Sequence, residues 1–184
     1  MAKKSSESDI VLGGGCFWCT EAAFTQLKGV LSATPGYAGG TTKDPTYYQV
    51  ATGKTGHAET VRVVFDPSVI TLTDILDVFF VIHDPTSLNK QGADVGTEYR
   101  SIILTTSPAQ LATVQAYLKN QGESGHFTKP IVTEVAPLEK FYPAEISQQE
   151  YYRRNPNAAY CQLVIDPKLT KLREKFASLL KTDL

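Results

Sequence analysis

The stretch that most constrains this chain is DIVLGGGCFWCTEAAF, residues 9–24, an apolar run broken by three glycines and resumed at once with helical spacing. Both halves are satisfied by a buried strand over 9–14 that stops at the glycines and a helix over 18–28. That helix has Ala22, Ala23 and Leu27 on its inner face and Gly29 at its end. Cys16 then stands at a strand-to-helix junction, where unpaired backbone N–H groups and the positive end of the helix dipole favour thiolate over thiol. The glycines leave room for another molecule to approach, and Phe17 and Trp18, the only tryptophan, are costly to leave half exposed without one. A buried, inert cysteine is the competing reading.

The elements that follow set the fold class. Residues 30–38 read as extended, AGGTTKDP as a turn-rich loop and 46–52 as a short helix. In AETVRVVFDP, Val61, Val63 and Phe65 alternate with Thr60, Arg62 and Asp66, a strand closed by an Asp-Pro turn. TLTDILDVFFVIH carries Thr71 and Asp74 at capping-box spacing ahead of Leu72, Ile75, Leu76 and Phe79. After a polar loop at 84–98, YRSIILTT is a strand, and Ser107 and Pro108 open a helix that runs to Gly122 with Leu111, Val114 and Leu118 on one face. IVTEVA, 131–136, predicts one more strand. Residues 137–167 are irregular, and a closing helix carries Leu169, Leu172, Phe176 and Leu179. The order predicts a single α+β domain over 1–184, a two-layer sandwich of ferredoxin-like type with a long irregular C-terminal segment and a terminal helix. Residues 1–8 are expected to be flexible.

Composition removes several function classes. A formal net charge of -1 with mixed signs argues against a nucleic-acid or anionic-membrane surface and for a small or peptidic partner. VFFVI is too short to span a bilayer and MAKKSSESD has no apolar run behind it, so a reducing cytoplasm is expected. Three cysteines in such a compartment read as catalytic or metal-binding rather than as bridges. Cys16 and Cys19 form a C-x-x-C pair, which admits a thioredoxin-like dithiol or half of a zinc site. No second pair shows ligand spacing, and the dithiol reading leaves the other marked segments without a role.

Those segments are GYAGGTTKDPTYYQVATGKTGHAETVRVVFDP (36–67), HDPTSLNKQGADVGTEYRS (83–101) and FYPAE (141–145). With GGGCFW they resemble, in order and over residues 10–167, the A-type peptide methionine sulfoxide reductases. The resemblance implies that Cys16 attacks the sulfur of a methionine sulfoxide of S configuration, free or in oxidised proteins. It also implies that Glu59 is the acid that activates the sulfoxide oxygen. Strand alternation places Glu59 on the face of Val61, Val63 and Phe65, where a carboxyl should keep its proton near neutrality, although a surface glutamate at a frayed strand start has the same pattern. Tyr47 and Tyr99 match hydroxyl donors to the substrate oxygen, and Asp94 matches a residue that orders water or neighbouring groups. Phe17 and Trp18 would cup the S-methyl group. His57, His83 and Tyr48 read as structural.

Attack leaves a sulfenic acid on Cys16 that a second thiol must condense with. The resemblance gives that role to Cys161, in the irregular segment. Cys19 departs from the glycine common in the family, and reads either as a small buried residue or as a local resolving thiol that passes the disulfide to Cys161. Ser147 and Gln148 depart from the family's usual Tyr-His. The disulfide would be reduced by thioredoxin with electrons from NADPH. GGGC is not a dinucleotide fingerprint, so no bound cofactor and no metal are expected.

Overall fold

The computed structural model describes residues 6–182. The expected flexible N-terminus lies outside the described residues as far as Ser5, and Ser8 opens the first strand. The strands are β1 (Ser8–Gly13), β2 (Val30–Ala38), β3 (Ala58–Phe65), β4 (Lys90–Gln91), β5 (Asp94–Val95), β6 (Ile102–Thr105), β7 (Glu134–Pro137) and β8 (Phe141–Pro143). The helices are α1 (Phe17–Phe24), α2 (Tyr47–Ala51), α3 (Leu72–Ile82), α4 (Pro108–Glu123), α5 (Tyr151–Arg154) and α6 (Asp166–Lys175).

Together they make a mixed α/β fold around a six-stranded sheet of order β7-β6-β1-β3-β2-β8. All neighbours are antiparallel except β6 and β7, which run parallel and are joined by α4, the kind of crossover that parallel neighbours need. Alternation decides what each face buries. Ile10, Leu12, Val61, Val63 and Phe65 join Leu76, Phe79, Leu169 and Leu172 of α3 and α6 in the main core. Val11, Ala38, Ala58, Ile102 and Leu104 form a smaller cluster on the other face, under Ala136, Leu138 and Phe141.

Local chemistry fixes the helix starts. Thr71 Oγ1 accepts the Asp74 N–H at 3.0 Å and Asp74 Oδ2 accepts the Thr71 N–H at 3.0 Å, a complete capping box worth about 1 kcal/mol. Ser107 caps α4 through the Gln110 N–H at 3.1 Å, ahead of Pro108. Thr46 and Gln49 make the same reciprocal pair on α2.

Three elements differ from their sequence reading. α1 ends at Phe24, because the Gln26 and Leu27 N–H groups bond three residues back to Ala23 and Phe24, tightening the chain so that Leu27 bridges to Leu180. α6 stops at Lys175, and Ala177–Leu179 forms a separate 3-10 turn. Segment 137–167 holds β8, a 3-10 turn at Ile146–Gln148, α5 and a π-helical turn at Cys161–Ile165.

Candidate active site

The antiparallel register builds the site. Leu12 of β1 pairs with Val61 of β3, so the end of β1 lies beside the start of β3, where Glu59 pairs with Tyr37 of β2. Gly13 permits this approach, because a Cβ there would sit 2.9 Å from the Glu59 carbonyl oxygen and 2.7 Å from Ile102. Gly15 turns the chain at φ +96 into α1. The space left by the glycines is therefore filled by the protein itself, not held open for another molecule.

Beyond the turn, the Phe17 N–H at the first turn of α1 donates to Glu59 Oε2 at 3.0 Å. Glu59 is 3% exposed. Burial, reinforced by the charges of Asp94 and Glu98 and opposed by the Phe17 N–H, raises its pKa to about 8, so the carboxyl is mostly protonated at neutral pH.

Cys16, the N-cap of α1, and Cys19 in its first turn are shifted in opposite directions. Burial drives the Cys16 thiol well above its usual range, helped by its hydrogen bond to Cys19 and the charge of Glu59. The same hydrogen bond pulls Cys19 down to about 7 against burial, with Lys168 and Tyr160 assisting. The helix N-terminus thus acts on two coupled sulfurs, with burial pushing Cys16 up and the contact with its neighbour pulling Cys19 down.

Rings surround these sulfurs. Phe17 is buried, 5.7 Å from the Tyr37 ring and 6.3 Å from Tyr47. Trp18 is half-buried and stacks on Tyr151 at 3.7 Å and an interplanar angle of 7°, with Tyr47 at 6.5 Å and Tyr160 edge-on at 5.6 Å. Its indole N–H donates to Gln148 Oε1 at 3.2 Å. Tyr160 donates its hydroxyl to Asp94 Oδ2 at 2.8 Å and lies 3.8 Å from Cys19 Sγ.

The tyrosines are anchored from several elements. Glu145 accepts the Tyr37 hydroxyl and the Tyr47 N–H, each at 3.1 Å, which ties FYPAE to the start of α2. Tyr99 ends a 3-10 turn that Arg100 pins to the Gly56 carbonyl at 3.0 Å, just ahead of β3. Burial and then the charge of Glu59 raise Tyr47 to about 12, and the same two causes raise Tyr99. Asp94 follows a hairpin turn held by Gln91, whose amide donates to the Asp84 carbonyl at 2.6 Å and accepts the Asp84 N–H at 3.0 Å. Beside Asp94 and Tyr160 a groove of 650 Å³ opens past Leu163 and Lys168.

The structure therefore brings together Cys16, Phe17, Trp18, Cys19, Tyr47, Glu59, Asp94 and Tyr99. Cys161 follows Tyr160 on the π-helical turn, fully buried in the same core cluster as Cys16 and Cys19, with burial raising its thiol. All three cysteines are free. His57 accepts the Gly40 N–H at 3.0 Å and reaches the Thr42 carbonyl at 2.8 Å, and His83 sits between the Phe79 carbonyl and Ser101. Both are engaged in scaffolding. Among the described residues no group of three or more His, Cys, Asp or Glu side chains is arranged to hold a metal ion. Sequence reasoning passed over Tyr151, Tyr160, Glu21 and the contact of Gln148. Tyr160 sits next to Cys161, and Gln148 stands out only as a departure from the family pattern.

Known proteins resemble this chain over nearly its whole length. The family model described as peptide methionine sulfoxide reductase matches residues 8–180. A peptide methionine sulfoxide reductase MsrA of Natronomonas pharaonis is 52% identical over 166 residues, covering 90% of this chain and 93% of that one. The solved methionine sulfoxide reductase A of Corynebacterium diphtheriae superposes with a TM-score of 0.79 at 34% identity, covering 85% of this chain and 78% of that one. Mxr1 of Saccharomyces cerevisiae, solved in complex with Trx2, gives a TM-score of 0.54 at 27% identity, with 82% and 88% covered. On sequence and fold together, the chain belongs to the peptide methionine sulfoxide reductase family.

Proposed function

We propose that the protein reduces methionine S-sulfoxide, free or in oxidised proteins, through Cys16, with Glu59 as the acid and thioredoxin as the final reductant. The observation that carries the assignment of roles is the Phe17 N–H to Glu59 bond, which sets a buried, mostly protonated carboxyl beside the residue that bears the thiol. Sulfoxide sulfur becomes electrophilic when its oxygen receives a proton or strong hydrogen bonds. Glu59 supplies the proton, and the Tyr47 and Tyr99 hydroxyls add donors in a largely dry site. Cys19, with a pKa near 7 and hydrogen-bonded to Cys16, is placed to take the Cys16 proton as the attack proceeds. The S–O bond of the sulfoxide breaks and a new S–O bond forms on Cys16. The substrate sulfur gains two electrons, Cys16 loses two, and the products are a thioether and a sulfenic acid. Phe17 and Trp18, walled by Tyr47, Tyr151 and Tyr160, offer an apolar cup to the S-methyl group.

A second thiol then displaces water from the sulfenic acid, forming a disulfide. Cys19 is adjacent and its thiol is lowered towards neutrality, while Cys161 shares the same buried cluster, so a Cys16–Cys19 bridge handed on to Cys161 fits the arrangement. The complex of the related Mxr1 with Trx2 supports thioredoxin as the partner that reopens the bridge. We also read the central strand order β6-β1-β3-β2 as a ferredoxin-like core, 1–184 as one catalytic domain, and the three free thiols as suited to a reducing cytoplasm. No helix among the described residues is long and apolar enough to cross a membrane. Incubation with separated R and S sulfoxide epimers and dithiothreitol tests the assignment. Methionine should form from the S epimer alone, and turnover of neither epimer would reject it.

A further inference from the structure

One buried carboxylate near the cup takes no part in this chemistry. Glu21 lies one helical turn beyond Trp18 on α1, is 4% exposed, and accepts the Glu150 N–H on its Oε1 at 2.8 Å. Glu150 occupies the left-handed region at φ +52, a conformation that a residue with a β-carbon adopts only when its surroundings hold it there. That turn separates two of the groups that contact Trp18, namely Gln148, which accepts the indole N–H, and Tyr151, which stacks on the ring. From within the segment, Arg154 donates to the carbonyls of Ile146 at 3.0 Å and Ser147 at 2.9 Å, and also to that of Gln149. Residues 146–151 thus form a clip braced from within by Arg154 and latched to α1 at the Glu150 turn by Glu21.

We propose that Glu21 is a positioning residue for sulfoxide binding, fixing the left-handed turn at Glu150 and thereby the Gln148 and Tyr151 contacts that hold Trp18 in the cup. The proposal rests on Trp18 forming the wall of the substrate cup. The latch acts on the ring that meets the methyl group and not on the reacting sulfur, so its loss weakens binding and spares chemistry.

Trp18 is the only tryptophan, so its emission reports the stack directly. Glu21→Leu removes the acceptor at similar volume. It should shift and brighten Trp18 emission and raise KM for methionine S-sulfoxide roughly five- to tenfold, with kcat within about a factor of two of wild type. Glu21→Gln keeps an acceptor oxygen and should restore both. If Glu21→Leu does not fold, Glu21→Met, which also lacks the acceptor and fills the buried site, should give the same pattern. A folded Glu21→Leu protein with lowered thermal stability but unchanged KM would overturn the proposal, as would equal loss in the Leu and Gln variants. Trp18→Ala separates the two readings: an unchanged KM there removes the cup itself, whereas a raised KM there with an unchanged one in Glu21→Leu removes only the latch.

Discussion

Holding Glu59 neutral destabilises the fold in a pH-dependent way, and that cost can be measured apart from activity. The carboxyl titrates near 4.5 in an unfolded chain and at about 8 in the native site. A group with a raised native pKa favours the fold fully below its unfolded value and loses that contribution as pH rises towards the native value. Each pH unit in this window lowers stability by about 1.4 kcal/mol, so the penalty reaches roughly 3 kcal/mol at pH 7 and about 5 kcal/mol above pH 8, where it levels off. Glu59→Gln cannot ionise, yet its amide oxygen can still accept the Phe17 N–H. Urea unfolding of both proteins under reducing conditions, followed by Trp18 fluorescence, should give similar stabilities near about pH 4.5 and a glutamine variant several kcal/mol more stable near about pH 8.5. Other titrating groups cancel in the difference. The same variant should lose about 10²- to 10⁴-fold in single-turnover rate, the usual range for an acid. Wild-type turnover should also fall as pH passes about 8, the value at which Glu59 releases its proton. A stability difference that stays constant between the two pH values would show that Glu59 titrates as an ordinary glutamate and would refute the reasoning.

Four further substitutions address other parts of the site. Tyr47→Phe and Tyr99→Phe should each slow single-turnover reduction on the order of tenfold to a hundredfold while leaving the fold intact, and unchanged rates would count against the hydroxyls as donors. Cys161→Ser should spare the first turnover but slow steady-state turnover with thioredoxin, whereas a normal steady-state rate would leave Cys19 as the resolving thiol. Gly36→Ala should destabilise the protein by about 2 kcal/mol, read by chemical denaturation, because overpacking of that size is typical of a blocked site. Its Cβ would lie 2.3 Å from the Phe141 ring and 2.5 Å from the Tyr142 carbonyl oxygen, forcing β8 away from β2 and loosening Glu145 from Tyr37 and Tyr47.

The parts of the fold that sequence makes legible are those fixed within a few residues. The Thr71/Asp74 pair, the Ser107-Pro108 start and the alternation that turns Glu59 inward all depend on spacing, and each is found as read. What escaped depends on distant chain. The helix over 18–28 is cut short at Phe24 because Leu27 meets Leu180, far along the sequence. Tyr151 and Tyr160 reach Trp18 through short helical pieces whose Pro- and Asn-rich composition gives no periodic signal. The coupling of Cys16 to Cys19 was equally hidden, because it depends on the burial of both sulfurs and on their mutual contact. Gln148, noted only as a departure from the family pattern, proves to hold the indole of Trp18.

The most direct measurement is a single-turnover reaction of the Cys19→Ser, Cys161→Ser double variant with methionine S-sulfoxide, with no added thiol, followed by labelling with a sulfenic-acid-specific probe and peptide mass analysis. One methionine should be released per chain, and one label should appear on Cys16. Methionine release without a label at Cys16, or a label at Cys16 without stoichiometric methionine, would contradict transfer of the sulfoxide oxygen to that sulfur.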